Sequence, residues 1–140
     1  MSRYLLDTNI ISNVTKLTSS EALLAWMGEQ VDESLFIASL TVAEIRRGIL
    51  EKPAGRKRDQ LDDWFSGPEG PSVLFAGRVL PFDEKAGLIW ARLMAAGTAE
   101  GRPRSALDTI IASIAVANDC IVVTDNEKHF ADVEIVNPLR

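Results

Sequence analysis

The stretch Arg3-Tyr4-Leu5-Leu6-Asp7-Thr8-Asn9 is the part of the sequence from which the fold can be worked out. Its apolar run is too short to be amphipathic, which is typical of a strand buried on both faces of a parallel sheet. Asp7 ends that run and opens a polar turn. Three more acids, Glu44, Asp108 and Asp125, stand at similar junctions between an apolar run and a turn or helix start. Carboxylates gathered in this way repel one another unless a cation neutralises them, so the pattern predicts a divalent-metal site suited to phosphate-ester chemistry.

The remaining chain alternates short apolar runs with stretches of helical periodicity. The periodicity predicts helices over 10–14, 20–29, 41–50, 56–65, 83–96 and 106–117. The apolar runs predict strands over 3–6, 35–38, 120–124 and 133–136, and one strand or two extended pieces over 73–80. Polar, Gly- and Pro-containing segments predict loops over 66–71 and 97–103. This alternation predicts a single domain over residues 1–140, a three-layer α/β/α fold with a mostly parallel central sheet.

Length and composition are those of an ordinary soluble domain. The chain has 140 residues, of which 46% are hydrophobic and 25% charged. No apolar run approaches the roughly 20 residues that span a bilayer, and the N-terminus lacks the apolar core of a signal peptide. Cys120 is the only cysteine, which excludes an internal disulfide, and its apolar neighbours predict a buried, inert thiol. These features predict a cytoplasmic protein without a membrane segment.

The four acids are expected to share one crevice. In open α/β sheets, ligands bind beyond the carboxyl ends of the strands. Asp7 and Asp125 follow predicted strands, and we expect Glu44 and Asp108 in the first turns of their helices. Each acid also has a purely structural interpretation. The patterns Thr41-x-x-Glu44 and Ser105-x-x-Asp108 fit helix capping boxes, and aspartates are common in turns.

Six sequence blocks in a fixed order resemble a known family. They are Leu5–Ser12, Ser39–Gly48, Leu80–Asp83, Leu107–Ala112, Val123–Phe130 and Val136–Pro138. Each block is modestly specific, whereas the ordered set is highly specific. The chain thereby resembles the PIN-domain family, and in particular its VapC-like, FitB-type toxin ribonucleases.

The resemblance implies a metal-dependent endoribonuclease that uses Mg²⁺ or Mn²⁺ and is the toxin of a type II toxin–antitoxin pair. Asp7, Glu44 and Asp108 match the family's first, second and third acids. The fourth position follows the strand near residue 123 in a Thr-x-Asp or Thr-x-Asn pattern. That register puts Asn126 at the fourth position and Asp125, where the family often has a basic residue, at x. Asp125 and Asn126 both stay candidates for this corner of the site.

The chemistry implied by the resemblance is hydrolysis of RNA phosphodiester bonds by activated water. One or two ions are expected on Asp7 and Asp108, with Glu44 acting directly or through water. The hydroxyls of Thr8 and Thr124 are candidates for orienting the carboxylates or the water. Alternatively, Thr8 caps the helix that follows it.

The implied partners are an RNA substrate and a cognate antitoxin of the VapB or FitA kind, with homodimerisation and a larger toxin–antitoxin assembly. The net charge of −5 argues against a broad nucleic-acid-binding surface but leaves room for a small one. Basic residues close in sequence to Glu44 and Asp108 are candidates for contacting phosphates, although a solvated helix face or loop also explains them. They are Arg46, Arg47, Arg102 and Arg104.

Two other functions fit parts of the sequence. Asp7 could be the nucleophile of an aspartyl-phosphate phosphatase, although such enzymes normally have a second Asp where this chain has Asn9. A non-catalytic PIN-like module that binds RNA or protein is the other alternative. His129, the only histidine, is expected to have a packed or surface role rather than a catalytic one.

Overall fold

The centre of the fold is a parallel β-sheet of five strands. The structure is a computed structural model that describes residues 2–14, 20–131 and 133–139. Within them every strand pair is parallel, in the order β3-β2-β1-β4-β5. The strands are β1 Arg3–Leu6, β2 Leu35–Ala38, β3 Val79–Leu80, β4 Cys120–Val123 and β5 Ile135–Val136. The predicted domain limits, 1 and 140, lie outside the described residues, and the single-domain organisation stays a prediction.

Helices connect the strands and cover both faces of the sheet. They are α1 Thr8–Val14, α2 Glu21–Gly28, α3 Ser39–Leu50, α4 Arg56–Ser66, α5 Pro71–Leu74, α6 Glu84–Ala99 and α7 Ala106–Ala117. Two short 3-10 turns lie at Asp32–Ser34 and Glu127–Phe130. None of the described helices has the length and apolar character that crossing a bilayer requires.

Alternation along the two central strands produces two separate cores. Successive side chains of a strand point to opposite faces of the sheet. Leu5 and Val122 accordingly lie in the core beneath α6 and α7, whereas Leu6 and Val123 lie in the core beneath α1 and α2. All four side chains are fully buried. The predicted three-layer α/β/α fold is therefore confirmed.

The prediction for residues 73–80 was largely wrong. Val73 and Leu74 belong to α5, and only Val79–Leu80 forms a strand. Pro71 occupies the start of α5, where its fixed φ angle favours a helical turn and its missing N–H leaves no bond unmade. The predicted loop over 97–103 was also too long, because α6 continues to Ala99.

Two local predictions concern the residues closest to the sheet. Cys120 is buried as predicted, and its burial raises the pKa of the thiol, consistent with an inert side chain. Helix α3 begins at Ser39, directly after β2 and two residues before the predicted start at Thr41.

The order of the strands predicts a crevice at the end of β1. The chain moves outward on one side of β1 to β2 and β3, and on the other side to β4 and β5. In open α/β sheets, ligands bind at such a reversal, beyond the carboxyl ends of the strands. The backbone N–H of Asp7 donates to the Val123 carbonyl at 2.9 Å, so the ends of β1 and β4 are joined there.

Candidate active site

Asp7 lies directly after β1, at this end of the sheet, with both carboxylate oxygens hydrogen-bonded. Its side chain is 4% exposed. Oδ1 accepts the Thr8 backbone N–H at 2.8 Å, and Oδ2 accepts the Thr124 hydroxyl at 3.0 Å. The Asp7 carbonyl accepts the N–H groups of Ile10 and Ile11, which open α1. Asp7 thus performs the turn role considered from the sequence, but its burial goes beyond what a turn requires.

The environment of Asp7 disfavours its charged form. Burial raises the pKa of Asp7 from an ordinary value of 3.8 to about 6, because it removes water from the carboxylate. The hydrogen bonds from Thr124 and Thr8 oppose this rise in pKa, whereas the charges of Asp108 and Glu44 add to it. Those two acids are therefore close enough to act on Asp7. The structure brings together three of the four acids that the sequence singled out.

Glu44 is held by a neighbouring helix rather than by a capping box. It is half-buried in the second turn of α3, not in the first turn as expected. The Thr8 hydroxyl on α1 donates to Glu44 Oε1 at 2.7 Å and lies 3.3 Å from the Thr41 hydroxyl. The capping-box interpretation was wrong because the cap residue of α3 is Ala38 and Thr41 is inside the helix. Capping of α1 by Thr8 was wrong as well, since Thr8 is the first residue of that helix.

Asp108 lies in the first turn of α7, as expected. The Ser105 hydroxyl caps this helix by accepting the Asp108 N–H at 3.4 Å. The Asp108 carboxylate contacts the His129 ring instead, with 2.9 Å between Oδ2 and Nδ1. His129 is 54% exposed, so its surface position was predicted but its contact with a site acid was not. No spacing in the sequence indicates it, because the contact depends on how the turn after β4 packs near α7.

Thr124 links Asp7 to the fourth corner of the site. Its fully buried hydroxyl accepts the Asn126 backbone N–H at 3.0 Å and donates to Asp7. The half-buried Asn126 thereby supports Asp7 through its main chain. The side chain of Asp125 is exposed, and its charge is not among those that raise the pKa of Asp7. Filling of the fourth position by either side chain stays a prediction.

The three acids suit a hard divalent cation that keeps part of its water. Within the described residues, no three His, Cys, Asp or Glu side chains converge closely enough to hold an ion together. Mg²⁺ commonly takes one or two carboxylates and retains several waters, so such convergence is not required. A buried carboxylate with a raised pKa, near two like charges, is stabilised by a cation. The donor set therefore fits Mg²⁺ or Mn²⁺.

The four predicted basic residues lie in three different environments. Arg46 forms an ion pair with Asp62 and lies over the Phe65 ring, 5.4 Å from its centre. These two interactions hold the Arg46 side chain at the contact between α3 and α4. Arg47 is exposed. Arg102 and Arg104 line a cleft near His129.

The raised pKa of Asp7 predicts how stability depends on pH without metal. Because the folded-state pKa lies above 3.8, this carboxyl favours folding while protonated, and that contribution is lost as the pH rises from about 4 through about 6. In EDTA, the stability of Asp7→Asn relative to the natural protein should therefore be about 2 to 3 kcal/mol higher at pH 7.5 than at pH 4, because the asparagine cannot ionise. Urea unfolding of both proteins at several pH values measures this change, because the hydrogen bond that an amide NH₂ cannot accept lowers the stability of the variant equally at every pH. A difference in stability between the two proteins that stays constant from pH 4 to pH 7.5 would contradict a raised pKa at Asp7.

Thr124→Val should raise the pKa of Asp7 further, because the lost hydrogen bond favours the charged carboxylate. The loss of stability with rising pH should then extend above about pH 6, and the free energy of unfolding should fall by about 1 to 3 kcal/mol because two polar groups lose their partner. Urea unfolding against pH in EDTA measures both effects. Thr124→Ser is the matched control, since it keeps the hydroxyl and should keep the natural pH dependence. Equal pH dependence in the two variants would rule out the proposed role of this bond.

Known proteins resemble the chain over nearly its full length. The PIN domain family model matches residues 4–136. VapC ribonuclease Y4jK of Sinorhizobium fredii is 39% identical over 95% of both chains, and Toxin FitB of Neisseria gonorrhoeae is 35% identical over 96% of both. The crystal structure of FitAcB from N. gonorrhoeae matches with a TM-score of 0.88 and 34% identity, covering 96% of this chain and 97% of that one. The chain belongs to the PIN-domain family, within its VapC-like, FitB-type group.

Proposed function

We propose that this protein is a metal-dependent endoribonuclease and the toxin of a type II toxin–antitoxin pair. The observation that carries the proposal is Asp7, a buried carboxylate whose pKa is raised to about 6 and on which the charges of Asp108 and Glu44 act. Strongly perturbed carboxyl groups in a crevice are typical of catalytic or metal sites. A purely structural aspartate would not need two further acids beside it.

Asp7 and Asp108 would hold the ion, and Glu44 would support it directly or through water. A bound Mg²⁺ or Mn²⁺ supplies activated water and charge stabilisation for phosphodiester cleavage. The chain's own contribution is orientation. Thr8 fixes Glu44, Thr124 fixes Asp7, and His129 contacts Asp108, as expected for partners of metal-binding carboxylates.

The relatives support the activity and the partner. One is named a VapC ribonuclease and another Toxin FitB, each at least 35% identical to this chain. A further similar structure, at 33% identity and a TM-score of 0.88, is that of FitAB bound to the IR36 DNA fragment. We extend these properties to this chain as RNA cleavage and as binding of a cognate VapB- or FitA-like antitoxin. A homodimer and a larger toxin–antitoxin assembly belong to the same proposal.

The phosphatase alternative receives less support from the site. A nucleophilic aspartate needs an oxygen that an incoming phosphate can reach, whereas Asp7 is 4% exposed and both its oxygens accept hydrogen bonds. Asn9, at the position where such enzymes have their second acid, is exposed. Lone pairs that remain on the carboxylate oxygens are still available to a small cation.

An RNA cleavage assay tests the proposal. End-labelled structured RNA is incubated with the protein in Mg²⁺, in Mn²⁺ and in EDTA, and products are resolved on a gel. We expect cleavage only with metal. Asp7→Asn and Asp108→Asn should each reduce the rate by about 100-fold or more, because a catalytic metal contributes several kcal/mol of transition-state stabilisation. Asp63→Asn, an exposed acid on α4, is the matched control and should leave the rate unchanged.

The same assay separates the alternatives. Cleavage that persists in EDTA, or in Asp7→Asn purified in the same way, would refute the proposal. Phosphate release from a phosphomonoester with covalent labelling of Asp7 would support the phosphatase instead. RNA binding without any cleavage would support a non-catalytic module.

A further inference from the structure

A basic cleft opens beside the third acid of the site. Its volume is about 370 Å³. Among the described residues, its lining contains three permanent cations and one carboxylate, Glu100. The cations are Arg102, Arg104 and Lys128. In a chain with a net charge of −5, such a concentration of positive charge points to an anionic ligand.

The wall of the cleft that carries Arg102 and Arg104 is closely packed. After α6, Gly101 adopts a φ of +71°, a conformation that favours glycine, and the chain turns back so that the Arg102 N–H donates to the Gly97 carbonyl at 2.8 Å. A Cβ atom at Gly97 would lie 2.8 Å from the Arg102 carbonyl oxygen and 3.1 Å from Arg104 Cγ. Glycine at position 97 therefore permits the close approach of the Arg102 backbone and the Arg104 side chain.

A hydrogen bond ties this wall to the opposite one. Nη2 of Arg104 donates to the Ala131 carbonyl at 2.8 Å, just after the 3-10 turn Glu127–Phe130 that carries Lys128 and His129. Arg104 therefore holds the two walls of the cleft together. Arg102 and Lys128 are exposed, and each lines the cleft from a different segment of the chain.

His129 connects the cleft to the acidic site. It lines the cleft and places Nδ1 2.9 Å from Asp108 Oδ2. A ligand in the cleft would therefore be separated from Asp108 by a single side chain. This adjacency is what an extended substrate requires, with one part of it at the acids and the next part at the cations.

We propose that the cleft is a subsite for a backbone phosphate of the RNA strand, next to the phosphate at the acids. The inference rests on the proposed ribonuclease function. It adds the position at which the RNA strand leaves the site formed by the acids. Arg102 and Lys128 make phosphate contacts that do not depend on base sequence. The local cations offset the repulsion between the strand and an acidic protein. RNA is favoured over an acidic protein segment because the cleft adjoins the residues assigned to phosphodiester cleavage.

Binding of a labelled single-stranded RNA oligonucleotide tests the subsite. Fluorescence anisotropy is measured in Ca²⁺ at several salt concentrations, with gels to verify that the RNA stays intact. The double variant Arg102→Gln/Lys128→Gln should weaken binding about tenfold or more. It should also reduce the slope of log Kd against log salt by about 1.4, because each lost phosphate contact on a single strand accounts for about 0.7. Arg92→Gln/Lys85→Gln is the matched control, since it makes the same charge change at exposed positions of α6 that do not line the cleft.

A second variant alters the shape of the cleft without removing charge. Gly97→Ala should displace the arginine-bearing wall and weaken RNA binding about threefold or more, with the salt slope as a second readout. Gly28→Ala is its control, because nothing lies within 4 Å of the added Cβ at the end of α2. Circular dichroism establishes that each variant is folded.

The outcomes separate this inference from the proposed function. If the natural protein cleaves RNA but the cleft double variant binds it as tightly as its control does, the subsite is wrong and the ribonuclease stands. If the natural protein neither cleaves nor binds RNA, both proposals fall together.

Discussion

The carboxylate of Asp7 is buried where β1 and β4 end, and the charges of Glu44 and Asp108 act on it. Burying an unpaired charge is unfavourable, and adding like charges makes it more so. Hydrogen bonds from Thr8 and Thr124 oppose the resulting rise in pKa but do not cancel it, since the pKa still reaches about 6. The charged form of Asp7 is therefore still destabilised at the carboxyl end of the sheet. A divalent cation bound there would stabilise it.

The surrounding fold holds that arrangement in place from several directions. Strand pairing joins the end of β1 to the end of β4, and α1 begins on the Asp7 carbonyl. The α3 helix carries Glu44 toward Thr8, and α7 carries Asp108 toward His129. Two apolar cores, one on each face of the sheet, fix these elements relative to one another. Functional sites in proteins often lower the stability of the fold. Here the unfavourable electrostatic interactions are confined to a few side chains.

Much of this could be predicted from local patterns. The apolar runs that form β1, β2 and β4 are short and bounded by polar turns, so their burial and the position of Asp7 after β1 followed from the sequence. The strand order then explains why Asp7 and Asp108, about a hundred residues apart, act on each other. The prediction of extended structure was wrong for most of residues 73–80. An apolar run is also compatible with a helical turn, and Pro71 favours the helical turn here. The predicted helix start and capping box at Thr41 were wrong because α3 follows β2 directly, without a loop. The spacing of residues in the sequence does not indicate the contact between Asp108 and His129 or the ion pair between Arg46 and Asp62. Both interactions depend on tertiary packing.

Burial and the acidic neighbours of Asp7 together destabilise its anionic form. A carbon-13 NMR titration of the Asp7 carboxyl, in EDTA, measures this directly for the natural protein and for Asp108→Asn. We expect a pKa of about 6 for Asp7 in the natural protein and a lower pKa in the variant, because one of the like charges is gone. A pKa near the ordinary 3.8 that is unchanged by Asp108→Asn would contradict it.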